Sequence, residues 1–547
     1  MTQKEIQVAY EKVLRHNEEL SSRIAQADQT IATLTEEKAS LERKLHRIKN
    51  NPIWKASKPL RLLFFHTIHL KNKIVGSGNP KQIAKKIVSK QKEKQIRKRY
   101  GTASFPSEQE VQWQRNTIFE RPVLFSILTP VYNTPKLFLT QMIDSVRNQT
   151  YENWELCLAD GSDEQHAYVG DICKEIAAKS GGKIRYLALA QNQGISGNTN
   201  ECFKMARGEF IGLLDHDDIL HPCALYEYAK AITNQGADYL YCDELTFKNG
   251  KIDRMQTLHF KPDYAPDNLR ANNYICHFSV FARNLLEGDE VFRSRFDGSQ
   301  DHDMILRLTD RAKSIVHVPK VLYYWRSHAG SVASGIEAKT YAIESARAAV
   351  AQHLTQHGFT NFVITSTRAF ETIFRIQYAL TDHPYVSIII ANKDHETDLH
   401  RCITSILEKS TYRNFEIVII ENNSCDATKE QQQPDIFAYY TQLLGTPYDP
   451  SQERQSNQDR EEQNRSSNKI TIVTYKGAFH FSAINQWGVE HSSGEVLLFL
   501  NNDTEVITPN WIEEMLMYVQ RTDVGAVGAK LYYEDKSVQH AGVILGM

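Results

Sequence analysis

The 547-residue chain carries 64 Lys plus Arg against 66 Asp plus Glu and is 41% hydrophobic, an ordinary soluble composition with length for two or more domains. The near-neutral total hides an asymmetry: residues 1–120 hold 24 basic against 12 acidic side chains, so that part calls for an anionic partner, whereas the acidic remainder does not read as a nucleic-acid binder. The eight cysteines stand singly, without Cys-x-x-Cys pairs or zinc spacing, and no apolar run reaches the roughly 18 residues of a membrane-spanning helix or resembles a signal peptide. A cytoplasmic protein is expected, peripheral at most to the cytoplasmic face of the membrane.

Residues 6–48 carry an apolar heptad. Ile6, Val13, Leu20, Ala27, Leu34, Leu41 and Ile48 hold one seam position; Tyr10, Asn17, Ile24, Ile31, Lys38 and Leu45 hold the other. A 3.5-residue repeat of this length, free of Pro and Gly, predicts a coiled coil over 1–50 and hence a homo-oligomer, with Asn17 and Lys38 fixing register. The alternative is one amphipathic helix packed on its own domain. Asn51-Pro52 ends the helix. The linker over 51–120 holds an aromatic, apolar stretch from Trp54 through Leu60–Leu70, then eleven basic residues and only Glu93 as an acid between Lys71 and Arg99. That order suits an anchor on an anionic membrane surface, which needs buried apolar area and charge attraction. It suits equally a solvated basic linker.

From Leu124 strand-like runs alternate with helical patterns, which predicts a parallel α/β sheet. Phe125–Leu128 leads into Thr129-Pro130-Val131-Tyr132-Asn133, Trp154–Ala159 into Asp160-Gly161-Ser162, and Phe210–Leu214 into Asp215-His216-Asp217-Asp218. Loops at the carboxyl ends of parallel strands converge on one crevice, so Asp160 and the Asp215 cluster are expected to share a cleft. Hard carboxylate oxygens one residue apart suit a divalent ion that keeps positions open for phosphate. The bland reading is a solvated acidic turn.

The pattern then recurs. Ser387–Ala391 echoes Ser126–Pro130, Thr411–Glu416 echoes Thr150–Glu155, and Gly494–Asp503 echoes Gly208–Asp217. This predicts a first domain over 121–335, a connecting helix and strand over 336–383, and a partial second copy over 384–547 with a disordered polar insertion near 450–468.

Thr129–Asn133, Asp160–Ser162, Leu214–Asp218 and Ser299-Gln300-Asp301-His302-Asp303 stand in the order and approximate spacing of family 2 glycosyltransferases. The chain resembles that family over residues 122–335 and in part over 384–547. The resemblance implies an α/β GT-A fold, duplicated with its second copy truncated, and metal-assisted, inverting transfer from a nucleotide diphosphosugar. By position, Asp160 would bind the base and Thr129, Pro130, Tyr132 and Asn133 would line the nucleotide pocket. Asp215 would face ribose and metal, and Asp217 would bind Mn²⁺ or Mg²⁺. Asp301 looks like the general base, its pKa raised with help from Asp303. Trp325 and Arg326 would close over the diphosphate, Arg326 clamping phosphate, and His328 would ligate the metal.

Each assignment has a plainer rival. Asp301 also reads as an N-cap for a helix at Met304–Leu308, Arg326 and His328 as solvated ends of an aromatic strand, and Asp218 as a cap for a helix near Pro222. The second copy departs from the pattern: Ala391 replaces Pro130, Glu421 or Asn422 opposes Asp160, and Asn501-Asn502-Asp503 opposes Asp215-His216-Asp217. Glu421, Asn501 and Asp503 are its candidate ligands, but Asp301 has no counterpart, so no transfer is expected there. The expected activity is addition of rhamnose, glucose, galactose or an N-acetylhexosamine to a hydroxyl of a cell-surface polysaccharide or lipid-linked glycan. The rival from another class is a non-catalytic coiled-coil scaffold or membrane tether. A nucleotidyltransferase would want a Gly-rich basic loop where Thr129–Asn133 stands, and a glycoside hydrolase needs no paired metal carboxylates.

Overall fold

All seven residues of β1 (Phe125–Val131) are buried, as suits the middle strand of a sheet covered on both faces. The computed structural model describes residues 99–542 other than 102–103, 249–250, 253–254, 289, 329–336, 425–434 and 458–468. The expected coiled coil and nearly all of the expected anchor lie outside the described residues. Among the described residues no helix is long and apolar enough to cross a membrane.

Beside β1 lie β2 (Trp154–Asp160), β3 (Ile184–Ala188) and β4 (Phe210–Leu213), all parallel. The sheet continues through β5 (Ile219–Leu220), β6 (Tyr239–Lys248), β7 (Met255–His259), β8 (Val280–Ala282) and β9 (Ile315–Ser327), in the order β3-β2-β1-β4-β8-β6-β9-β5, with β7 on β6. Antiparallel β8 joins the parallel half to the pair β6 and β9.

The covering helices follow from their apolar spacing. α1 (Glu108–Arg115) precedes the sheet. α2 (Lys136–Arg147) buries Leu139, Met142, Ile143 and Val146, the three- and four-residue intervals of one helix face, and packs with α3 (Tyr168–Lys179) over one side of the sheet. The other side holds α4 (Gly194–Met205). α5 (Ala224–Gln235) stops at Gly236, whose φ of +62° is a left-handed cap that glycine adopts without strain. After the short α6 (Pro266–Ala271), α7 (Gln300–Thr309) buries Met304, Ile305, Leu306 and Leu308 against the α4 side.

α8 (Glu337–Gln356) and a hairpin of β10 (Phe362–Ser366) and β11 (Phe374–Tyr378) lead to a second sheet. The connection thus holds two strands rather than one. The second sheet comprises β12 (Val386–Asn392), β13 (Phe415–Glu421), β14 (Arg454–Ser456), β15 (Lys469–Thr474) and β16 (Val496–Asn501), in the order β14-β15-β13-β12-β16. Its helices are α9 (Glu396–Lys409), α10 (Ile436–Leu444), α11 (Phe481–Glu490) and α12 (Trp511–Val519), and a small pair of β17 (Leu531–Tyr532) and β18 (Val538–His540) follows. Part of the expected disordered insertion is ordered, because β14 finds ladder partners on β15, with Gln455 opposite Ile472.

The run β15-β13-β12-β16 repeats β3-β2-β1-β4, down to its buried hydrogen bonds. Ser126 Oγ donates to Glu155 Oε1 at 2.6 Å and accepts from Gly208 N at 2.7 Å; Ser387 Oγ donates to Glu416 Oε1 at 2.7 Å and accepts from Gly494 N at 2.8 Å. Glycine is required at both places, since a Cβ would lie 2.6 Å from Leu124 O at Gly208 and 2.5 Å from Ser387 N at Gly494. The two sheets are joined through Met517, which packs in the first domain's core, and through Arg521, whose guanidinium lies 2.6 Å from Asp267 Oδ1.

Candidate active site

The loops leaving β1 and β2 are tied together. Asn133 takes a left-handed φ of +49°, which asparagine tolerates, and this turns its N–H onto Ser162 Oγ at 2.9 Å while Nδ2 donates to Asp163 Oδ2 at 2.8 Å. Asp160 ends β2, buried. Its Oδ1 accepts from Ser162 N at 2.9 Å and its Oδ2 from the Tyr186 hydroxyl at 3.0 Å. Tyr132 is exposed beside this pair, whereas Thr129 is wholly buried in the sheet and supports the pocket instead of lining it.

The acidic loop after β4 divides its labour. Asp215 is half exposed; burial works to raise its carboxyl, but the hydrogen bond and charge of His277 outweigh it and hold the group below the ordinary carboxylate range. Asp217 Oδ2 meets His328 Nε2 at 2.8 Å. Asp218 is fully buried and accepts from the Tyr323 hydroxyl at 2.5 Å and from Arg326 N at 2.7 Å. Burial, then the charges of Asp217 and Asp215, push its pKa well above the usual value. It therefore fastens the acidic loop to β9 and does not cap α5, whose N-cap is Cys223.

Arg326 departs from its expected role. Its guanidinium is fully buried, donates to the Asp217 carbonyl and to Gln141 Oε1, and lies over the rings of Phe138 and Phe247 at 4.3 and 4.7 Å. Successive residues of a strand face opposite ways, so Trp325 and Arg326 cannot both face the cleft. Trp325, with Tyr323 two residues before it, approaches the His277 ring. Arg326 is a positioning residue for the acidic loop.

Asp301 lies in the first turn of α7, with Oδ2 accepting from Asn273 Nδ2 at 2.9 Å; the N-cap is Ser299. Asp303 does not assist it. That carboxylate is buried between Arg293 and Arg307, paired with both, so its charge is neutralised locally. Asp301 and Asp215 line one cavity that opens to solvent, together with Pro130, His277 and Gln300.

His277 is the residue that sequence reasoning missed. It stacks on Tyr323 with ring centroids 4.7 Å apart, and sets Nε2 3.6 Å from Asp215 Oδ2 and Nδ1 3.5 Å from Glu244 Oε2. Behind it, buried Lys261 Nζ donates to Glu244 Oε2 at 3.1 Å and to Ile275 O at 3.0 Å. Burial would raise Glu244, but the Lys261 ammonium, with His259 and His277, holds it well below the usual range. The available signal was Asp243-Glu244 interrupting the apolar run of β6, since an acid inside a buried strand requires a partner.

A divalent cation fits the donor set of this loop. Asp217 and His328 offer a hard oxygen and an imidazole nitrogen within one ion's reach of each other, and Asp215 offers a further carboxylate on the same loop, not clustered with that pair. Ligand atoms of Asp215, Asp218 and His277 also lie within 4.8 Å of one another, but the Asp218 oxygens are occupied by Tyr323 and Arg326.

In the second sheet the register Asn392↔Glu421 matches Val131↔Asp160, which places Glu421, not Asn422, opposite Asp160. Glu421 accepts from Ser424 N and from the Tyr440 hydroxyl as Asp160 does from Ser162 and Tyr186, and Asp394 repeats the left-handed turn of Asn133 with φ +60°. Asn501 ends β16, Asn502 donates to Asn392 Oδ1 at 2.7 Å, and Asp503 follows. Among the described residues no strands corresponding to β8, β6 and β9 flank β16.

Residues 126–288 and 387–438 match the family described as glycosyl transferase family 2. An uncharacterised protein of Sinorhizobium fredii, y4gI, is 37% identical over 428 residues, 78% of this chain and 44% of that protein. The O-antigen biosynthesis protein RfbC of Myxococcus xanthus is 34% identical over 430 residues, 78% of this chain and 31% of that protein. The chain thus spans less than half of either relative. Among solved structures, S. aureus TarS 1-349 in complex with UDP-GlcNAc aligns with a TM-score of 0.35 and 19% identity, covering 42% of this chain and 66% of that one.

Proposed function

The chain carries the glycosyl transferase family 2 domain on a GT-A-like α/β fold, and from that premise we propose that its first domain moves a sugar, with inversion, from a nucleotide diphosphosugar to an acceptor hydroxyl. The observation that carries the reading is that Asp215, on the loop after β4, and Asp301, in the first turn of α7, line one cavity though far apart in sequence. Asp160 receives the base and the Pro130–Asn133 loop borders it. The Asp301 carboxylate takes the acceptor's proton as that oxygen bonds to the anomeric carbon from the face opposite the departing diphosphate. The bond from that carbon to the β-phosphate oxygen breaks, and the nucleoside diphosphate leaves with its electron pair. Mn²⁺ or Mg²⁺ on Asp217, His328 and Asp215, when bound, supplies Lewis-acid stabilisation of the diphosphate charge. Arg326 and Asp218 keep the acidic loop in place, and His277 orients Asp215.

The acceptor class is a cell-surface polysaccharide or lipid-linked glycan, a reading supported by the name of the Myxococcus relative. The heptad of residues 1–50 would pair copies of the chain. The basic stretch after it would hold the enzyme to the anionic cytoplasmic face of the membrane. The test is a panel of uridine, thymidine and guanosine diphosphosugars, with nucleoside diphosphate release followed with and without EDTA. Release from at least one donor, abolished by EDTA and restored by Mn²⁺ or Mg²⁺, is expected. Release that ignores EDTA would remove the metal role of Asp217, and no binding or release with any donor would remove the activity.

A further inference from the structure

The cavity between Asp215 and Asp301 is where the transferred sugar must sit if the proposed function holds, and its wall describes that sugar. Asp215, His277, Gln300 and Asp301 supply polar groups. Much of the rest is Leu128, Ile195, Leu213, Leu214, Phe292 and Met304. Two hydroxyls also border it: Thr199 Oγ1 donates to Ile195 O at 2.8 Å, and Ser279 Oγ accepts from the Tyr239 hydroxyl at 3.1 Å. The Gln300 side-chain oxygen accepts from Gly298 N at 2.9 Å. A sugar hydroxyl turned against the aliphatic wall would leave water without gaining a partner, whereas a methyl group would gain by burial.

We propose that the donor sugar carries a methyl group, on C6 of a 6-deoxyhexose or on an N-acetyl substituent, and that this apolar wall selects it. A single apolar contact of this kind discriminates by roughly 10- to 200-fold.

The test compares donors differing in that group alone: UDP-6-deoxygalactose against UDP-galactose, UDP-N-acetylglucosamine against UDP-N-formylglucosamine, and GDP-6-deoxymannose against GDP-mannose. Affinity for the full chain is measured by calorimetry and, where turnover occurs, kcat/KM by nucleoside diphosphate release. A preference of about tenfold or more for the methyl-bearing member in at least one pair is expected. The pair showing it separates the 6-deoxy source from the N-acetyl source. Ile195→Asn, checked by its melting temperature, is expected to cut that preference to below about threefold, and an undiminished preference would take Ile195 and the wall out of the account. Nucleotide sugars bound with no preference in every pair, or with the hydroxylated member favoured, would overturn the inference while leaving the proposed function intact. Failure to bind any nucleotide sugar would remove both.

Discussion

The two sheets share a frame and differ in chemistry. Ser126, Glu155 and Gly208 hold the base of the first sheet together; Ser387, Glu416 and Gly494 do the same in the second. Asp160 and Glu421 close equivalent strand ends on a tyrosine hydroxyl. Among the described residues the second sheet has no counterpart of what the first draws from beyond β4: His277 before β8, Asp301 on α7, and the β9 end with Arg326 and His328. The parallel half carries Asp160 and the start of the acidic loop, and the later half carries Asp301 and ties that loop to β9. Asp218, fully buried and bonded to β9, corresponds to Thr504, which has no such strand to reach among the described residues.

That contrast is broken most sharply at Asp301. Asp301→Asn is expected to lower kcat/KM by about 10²–10⁴ while nucleotide affinity persists, because only the proton acceptor is removed. Transfer near the wild-type rate would return Asp301 to a helix-terminus role.

A second difference is read by pH. His221 follows β5 in the first domain, and Ile507 and Thr508 occupy the corresponding stretch of the second. Burial, only partly offset by the Ser104 carbonyl, depresses His221 to about 4, and its unprotonated Nδ1 accepts from Cys223 N at 3.1 Å. A depressed folded pKa gives stability that is full above the unfolded value near 6.5 and is lost as pH falls towards the folded one. Urea melts should therefore show on the order of 3 kcal/mol lost between about pH 6.5 and 4 through this site, a slope that His221→Asn flattens.

Asp218→Ala removes the acceptor of two buried donors and should cost about 2–4 kcal/mol by chemical denaturation, where Thr504→Ala costs well under about 1 kcal/mol. The smallest effect tests the shared frame. Ser126→Ala and Ser387→Ala should each cost about 1–2 kcal/mol and agree with each other, and a large disparity would show that the two frames are not energetically alike.

Much of the first sheet was legible because an apolar run ending abruptly in acids marks a buried strand that delivers carboxylates to the sheet edge, as Phe210–Leu214 before Asp215 does. The repeat was legible for the same reason, with Gly208 and Gly494 forced by close backbone approach. What stayed hidden depends on three-dimensional pairing. His277 sits in an irregular segment with no periodicity, held by Lys261 and Glu244 from other elements. Arg326 reads as a surface cation until strand alternation turns it onto Phe138 and Phe247. Asp303 looks like a helper for Asp301 until Arg293 and Arg307 claim it.

The central claim is that the chain holds one complete donor site, in the first domain. Calorimetric titration of the full chain with its best nucleotide diphosphosugar, in saturating Mn²⁺ or Mg²⁺, measures this directly. The account predicts one donor bound per chain and none after Asp160→Ala. Two donors per chain, or a site that survives Asp160→Ala, would contradict it.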